Sequence, residues 1–212
     1  MKHIISDVFP CPVYIAKRNS NLDSTEKKEI EDFVTINAHL GPYTTGALAQ
    51  VSDNTEIFDT KLKNLKEFIE QHIKIYVKEI FNPKKELDFY ITQSWLNVVE
   101  PGGNIATHYH ANSIISGTFY VSTEEDDRIT FSDPNAKVKE LINFEQKGFT
   151  PWNANTWFFP ANNNELILFP SWIEHEVAPN ENATTDRISI SFNTFVRGTL
   201  GMQDDLNELI LK

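Results

Sequence analysis

Three histidines stand out by residue type and spacing. His108 and His110 sit two apart in Thr107-His108-Tyr109-His110-Ala111, and His175 follows in Phe169-Pro170-Ser171-Trp172-Ile173-Glu174-His175. On extended chain, residues i and i+2 project to one side, so His108 and His110 can offer two imidazoles to one ion. A third ligand from a distant strand would close a facial triad and leave positions open for substrate and dioxygen. Imidazole suits iron, copper, nickel and zinc, so ligand type alone leaves the metal open. His3, His39 and His72 lack this spacing and read as surface or core residues. Arg187 is the fourth candidate. The turn cluster Pro179-Asn180-Glu181-Asn182-Ala183 lies midway between it and His175. A symmetric hairpin about that turn would set His175 and Arg187 opposite each other, with Cβ atoms about 5 Å apart. A pocket arginine needs an anion, and its fork matches a carboxylate. A 2-oxo acid chelating the metal and carrying a distal carboxylate would supply one. The alternative for Arg187 is a salt bridge to Asp186, Glu174 or Glu176.

The elements that must position these groups change character near residue 85. Before it the spacing is helical: a helix over 24–40 carries Ile30, Phe33, Val34 and Asn37. A long helix over 55–81 carries Ile57, Phe58, Leu62, Leu65, Phe68, Ile69, Ile73, Tyr76, Val77 and Ile80, stopped by Asn82-Pro83. Residues 8–16 read as an edge strand, because Pro10 and Pro12 donate no ladder bond. After residue 85 the period is two, with strands expected at 89–99, 114–122, 128–132, 155–159, 165–170, 172–178 and 187–196. Arg187, Ser189, Ser191 and Asn193 alternate with Ile188, Ile190 and Phe192. Ser116, Thr118 and Tyr120 likewise alternate with Ile115, Phe119 and Val121. One sheet face is therefore polar and the other strongly apolar. Short strands after two helices suggest a closed or sandwiched antiparallel sheet, mainly β, with N-terminal helices packed outside it. The loop 133–163 is the natural cover, with a short helix or excursion at Lys137–Glu140. Trp152, Trp157 and Phe158 read first as core of the smaller sheet and second as packing on a ligand.

Composition limits the partners. The 212 residues carry 19 Lys+Arg against 30 Asp+Glu, a net charge of -11. Phosphate binding requires a dense basic face, so nucleic acid is not expected as main partner, nor is an anionic membrane. The single cysteine, Cys11, excludes an internal disulfide and fits a reducing compartment. No apolar run approaches the roughly 20 residues of a membrane span, and residues 1–7 lack a signal peptide's apolar centre. The expectation is a cytoplasmic single domain over 1–212: a helical support layer to about 85, a β core over 86–197, and a tail or short helix over 198–212. A homodimer is compatible with this reading.

The joint pattern resembles a known family. Ser94-Trp95-Leu96-Asn97, Pro101-Gly102-Gly103, His108-Tyr109-His110 and Ser116-Gly117-Thr118-Phe119-Tyr120-Val121 form one half. Phe169-Pro170-Ser171-Trp172, His175 and Arg187-Ile188-Ser189-Ile190-Ser191-Phe192-Asn193 form the other. Together they look like the 2-oxoglutarate/iron(II)-dependent oxygenases of bacteria and bacteriophages related to prolyl 4-hydroxylase. The resemblance covers about residues 90–197 and, more loosely, Phe9–Val13. It implies a double-stranded β-helix (jelly roll, cupin-like), iron(II), 2-oxoglutarate and dioxygen, with hydroxylation of a substrate and release of succinate and carbon dioxide. It implies His108, His110 and His175 as metal ligands and Arg187 as partner of the distal carboxylate. It further implies Ser189 as a supporting hydroxyl, Tyr120 as a pocket donor, and Asn97 and Trp95 on the opposite wall. His110 stands where the wider superfamily places Asp or Glu, which leaves the three protein ligands neutral; the close subfamily carries His there.

Other readings stay open at this level. A three-histidine cupin-type dioxygenase without 2-oxoglutarate would use Arg187 on a substrate carboxylate. A non-catalytic β-helix binding module or structural phage protein would carry a residual metal or none. A zinc hydrolase would need a base, and Glu174 and Glu176 should point away from His175 on a regular strand. A prolyl peptide, a free amino acid, a lipid and a nucleobase are all compatible substrates.

Overall fold

A computed structural model describes residues 2–36, 48–139 and 145–212. His39, Asn37 and Glu140 lie outside the described residues. In chain order the elements are β1 (Tyr14–Lys17), α1 (Ser24–Ile36), β2 (Ala49–Val51), α2 (Ile57–Thr60) and α3 (Lys63–Tyr76), which runs into a π-helical turn at Val77–Phe81. There follow β3 (Asp88–Val99), β4 (Ile105–His108), β5 (Ile115–Ser122), β6 (Arg128–Ser132), α4 (Ala136–Lys139), β7 (Thr156–Pro160), β8 (Glu165–Pro170), β9 (His175–Val177), β10 (Arg187–Leu200) and β11 (Leu209–Leu211). None of the described helices is long and apolar enough to cross a membrane.

The strands form two antiparallel sheets. The larger has the order β1-β8-β5-β10-β3-β2, with β11 paired to the end of β10; the smaller has the order β4-β9-β6-β7. From β4 to β10 the chain crosses between sheets at almost every connection, while β6 and β7 share the smaller one. That winding is a double-stranded β-helix, and it closes a cavity between the sheets.

Alternation sorts the side chains. Ile190 and Phe192 of β10, Ile115 and Phe119 of β5, and Leu96 of β3 leave the cavity and meet Ile57, Phe58, Leu65, Ile69 and Ile73 from the helices. At roughly 1.5–3 kcal/mol per buried large aliphatic or aromatic side chain, this outer layer anchors the larger sheet. Gly117 interrupts the β5 alternation for a steric reason. A Cβ there would lie 2.5 Å from Phe192 Cζ and 2.6 Å from Leu168 Cδ2. A second cluster, Tyr120, Ile129, Phe131, Ile167, Phe169 and Ile173, packs between the sheets.

Several expectations are corrected. The helix expected over 55–81 is split, because Leu62 turns left-handed with φ of 57°. The bend lets Ile57 and Phe58 on one side and Leu65 and Ile69 on the other all reach the sheet. The amide of Leu62 donates to Glu29 Oε2 of α1 at 2.8 Å, which caps the second piece. The strand expected from 172 starts at His175, after a turn over Ser171–Glu174. The segment expected as tail or short helix contains β11, and β10 runs on to Leu200. Trp157 and Phe158 are not core of the smaller sheet: they are 40% and 52% exposed on β7, its edge strand.

Candidate active site

His108 ends β4 and His175 opens β9, and the two are direct cross-strand partners. His175 is also paired with Phe131 of β6, which buries it inside the smaller sheet. His110 lies just beyond β4, in a turn. Its amide donates to the Ser171 carbonyl at 2.9 Å. Ser171 is itself held by a buried hydroxyl chain: its Oγ lies 2.8 Å from Ser116 Oγ and donates to Ser113 Oγ at 2.7 Å. Ser116 Oγ also donates to Asn193 Oδ1 at 2.8 Å. The sequence marks Ser116 and Ser171 by pattern alone and does not mark Ser113, so their part in placing His110 is a finding of the structure.

The three imidazoles converge. One ligand atom from each lies within 4.8 Å of the others. His108 Nδ1–H donates to the Ala106 carbonyl at 2.8 Å, and His175 Nδ1–H donates to the Ile173 carbonyl at 3.1 Å. Those bonds fix the tautomer, so Nε2 of both rings carries the lone pair. His110 Nε2 lies 3.3 Å from His175 Nε2; with the His175 lone pair there, His110 donates the proton between them. A bound cation would take the place of that one proton. Burial, then the His108 charge, pushes His110 down to about 4. Burial, then the His108 charge, also push His175 down to about 3, with His110 adding a little and the bond to the Ile173 carbonyl opposing. Metal ligation requires neutral imidazole, so burial, tautomer and convergence all fit a divalent transition metal.

The cluster opens into a cavity of about 640 Å³. Its larger-sheet wall carries Thr118, Tyr120, Arg187, Ser189, Ser191 and Asn193 from the alternating polar set, which loses only Ser116, together with Asn97, which the resemblance implies. Asn97 Nδ2 donates to Ser191 Oγ at 2.9 Å, and Trp95 Nε1–H donates to Asn97 Oδ1 at 3.1 Å. The Trp95 ring lies 5.7 Å from that of His110. Tyr120 and Ser189 face each other in register across β5 and β10. Burial pushes the Tyr120 phenol up, so it stays a neutral donor. Glu174 and Glu176 do not line the cavity; Glu176 accepts from Thr107 Oγ1 at 2.6 Å on the outside.

Arg187 reaches the cavity by a different route from the hairpin expected. Its cross-strand partner is Val99 of β3, because β10 belongs to the larger sheet and β9 to the smaller. His175 and Arg187 therefore face each other across the cavity instead of along a ladder. Nor does Arg187 pair with Asp186, Glu174 or Glu176. Its Nη1 donates to Asp127 Oδ1 at 3.0 Å, both side chains being buried. Burial lowers the guanidinium pKa, and Asp127 and Tyr120 oppose that shift. Asp127 is the functional candidate that sequence reasoning missed. Its position before β6 in a Glu124–Asp127 turn carries no signal for a partner 60 residues away.

The described residues of the loop 133–163 do not line this cavity. Asp133, Trp152 and Trp157 line a separate cleft of about 690 Å³ with Trp172 and the N-terminal Phe9–Val13. Phe158 instead stacks under Arg128, whose Cζ lies 5.1 Å from the ring centre.

Residues 93–193 match the family model described as "Putative 2OG-Fe(II) oxygenase". No curated protein matches the sequence. Among solved structures, a Pseudomonas putida prolyl-4-hydroxylase is similar at 13% identity and a TM-score of 0.57, over 89% of this chain and 94% of that one. A Trichoplax adhaerens prolyl hydroxylase, solved with a hypoxia-inducible-factor peptide fragment, is similar at 13% identity and 0.56, over 86% and 83%. HygX from Streptomyces hygroscopicus, solved with nickel and 2-oxoglutarate, is similar at 10% identity and 0.52, over 87% and 82%. At such identities these likenesses speak for the double-stranded β-helix, and the family match speaks for the chemistry. With the histidine cluster and Arg187 inside the matched stretch, residues 93–193 form a 2-oxoglutarate/iron(II) oxygenase domain.

Proposed function

We propose that His108, His110 and His175 hold the iron(II), and that Arg187 receives the distal carboxylate of 2-oxoglutarate. Bound there, iron(II) supplies the redox chemistry by which 2-oxoglutarate and dioxygen become succinate and carbon dioxide while a substrate C–H bond is hydroxylated. The chain's own residues bind, orient and shield. The backbone carbonyls of Ala106 and Ile173 keep two Nε2 lone pairs aimed at one point. Tyr120 and Ser189 stand beside Arg187 as neutral donors, and Asn97 sits next along the wall, locked by Trp95 and Ser191. Phe169 and Ile129 keep water from the smaller-sheet side. The observation that carries the reading is the convergence of three imidazoles in the cavity that also holds a buried arginine.

The same reading makes 1–212 one functional unit and puts it in a cytoplasm, that of the host for a phage protein, where the exposed Cys11 stays reduced. Its partners are then a small-molecule or peptide substrate and dioxygen, with neither nucleic acid nor membrane as main partner. The test is metal analysis of purified protein, then 2-oxoglutarate turnover with and without His108→Ala. Succinate formed with matching dioxygen uptake, and lost in a folded His108→Ala protein, is expected. Iron binding without succinate formation, or turnover indifferent to His108→Ala, overturns the assignment.

A further inference from the structure

We propose that Asp127 is a positioning residue for the cosubstrate, acting through Arg187. The inference rests on the reading of Arg187 as the carboxylate partner. Asp127 is itself fixed: Oδ2 accepts from the Glu124 amide at 2.9 Å, and Oδ1 accepts from Asn180 Nδ2 at 3.3 Å as well as from Arg187 Nη1. Asn180 ties this group to a third segment, since Nδ2 also donates to the Glu125 carbonyl at 2.9 Å and its own carbonyl accepts from the Gly102 amide at 3.1 Å. Glu124, from the same turn as Asp127, accepts from the Thr184 and Thr185 amides at 3.1 and 2.7 Å, directly before Arg187. The chain leading into β10 and the head of Arg187 are thus clamped by one acidic turn.

The consequence is specific. A guanidinium is a rigid fork of five N–H donors. Asp127 occupies one nitrogen, which fixes the plane of the fork and leaves its other donors at a set place in the cavity wall beside Tyr120 and Ser189. The pair has no net charge, so the wall admits one carboxylate and gains little from a second. Selection for a 2-oxo acid with a distal carboxylate then depends on Asp127, although Asp127 sits behind the arginine.

Calorimetric titration of manganese(II)-loaded protein tests this, with 2-oxoglutarate and, separately, with 2-oxobutyrate, which lacks the distal carboxylate. Asp127→Asn should weaken 2-oxoglutarate binding about tenfold, the size expected for a misaligned charged hydrogen bond. Manganese and 2-oxobutyrate affinities should stay within about twofold, as for any change confined to that subsite. In an Arg187→Gln background Asp127→Asn should have no further effect, because its action passes through the arginine. Asn180→Ala, which keeps the ion pair and removes one of its supports, should show the same selectivity at about threefold and serves if Asp127→Asn does not fold. Unchanged or tighter 2-oxoglutarate binding, equal loss for both acids, or additivity with Arg187→Gln overturns the inference and leaves Arg187 its role. If Arg187→Gln itself leaves 2-oxoglutarate affinity intact, the reading of Arg187 fails and the inference falls with it.

Discussion

Acidification should destabilise the metal-free protein through the histidine cluster, and the size of the effect follows from burial. His110 and His175 are held down to about 4 and about 3 in the fold, against an ordinary value of 6.5. Between those values and 6.5 the unfolded chain binds protons that the folded chain refuses. Stability is therefore full above pH 6.5, falls as pH drops below it, and stops falling only below the folded values. Each histidine contributes a slope of up to ~1.4 kcal/mol per pH unit inside that window. From pH 7 to pH 5 the limit is ~2 kcal/mol per residue and ~4 kcal/mol for the pair, and solvent screening of the half-buried His110 brings the expected effect to ~2–3 kcal/mol. At ~2–4 °C per kcal/mol for a chain of this size, the melting temperature should drop by ~5–10 °C. Carboxylates also titrate toward the acid end, so the decisive measurement is a difference. Urea unfolding in chelator at pH 7 and pH 5 is compared between the parent and His110→Gln/His175→Gln. The double variant should lose most of the parent's extra pH dependence. Equal pH slopes in the two proteins would refute the idea that these rings are buried as neutral groups.

Two further outcomes follow from contacts around the cavity. Ser171→Ala removes the hydroxyl that joins Ser113 and Ser116, so the support of His110 loosens; metal affinity measured by competitive chelation should fall ~10-fold while the fold persists. Gly117→Ala places a methyl against Phe192 and Leu168 on the opposite face, so it should cost ~1–3 kcal/mol in denaturant unfolding and leave metal affinity unchanged.

How far the sequence reaches is clearest at β10. Its period-two pattern separates Arg187, Ser189, Ser191 and Asn193 from Ile188, Ile190 and Phe192, and the structure puts the first set on the cavity and the second on the helices or beside them. Periodicity is a local property of the backbone, so it survives without knowledge of neighbours. Sheet membership is not local. The turn between β9 and β10 reads as a hairpin, yet the two strands go to different sheets, because each finds better partners elsewhere: His175 between β4 and β6, Arg187 beside Val99. Asp127 is illegible for the same reason, its role being defined by a strand end distant in sequence. Strands of three residues such as β2 and β11 exist through pairing alone, and the break at Leu62 answers to the shape of the sheet it packs on.

The division of the site between two sheets has a physical consequence. His108 and His175 belong to the smaller sheet and Arg187 to the larger, so their separation is set by how far apart the sheets pack, ~10 Å in general. On the proposed reading, a five-carbon 2-oxo diacid held at the histidines and at Arg187 would bridge a gap of this order. Phe169, Ile129 and Tyr120 hold the gap open from the side. Close packing makes that spacing stiff, since interiors of this density deform little. The three histidines answer to backbone carbonyls and a serine chain, while Arg187 answers to Asp127, and among the described residues none belongs to both support systems. A protein built this way should lose metal and carboxylate recognition independently, and that independence separates a cosubstrate subsite from a general collapse of the cavity.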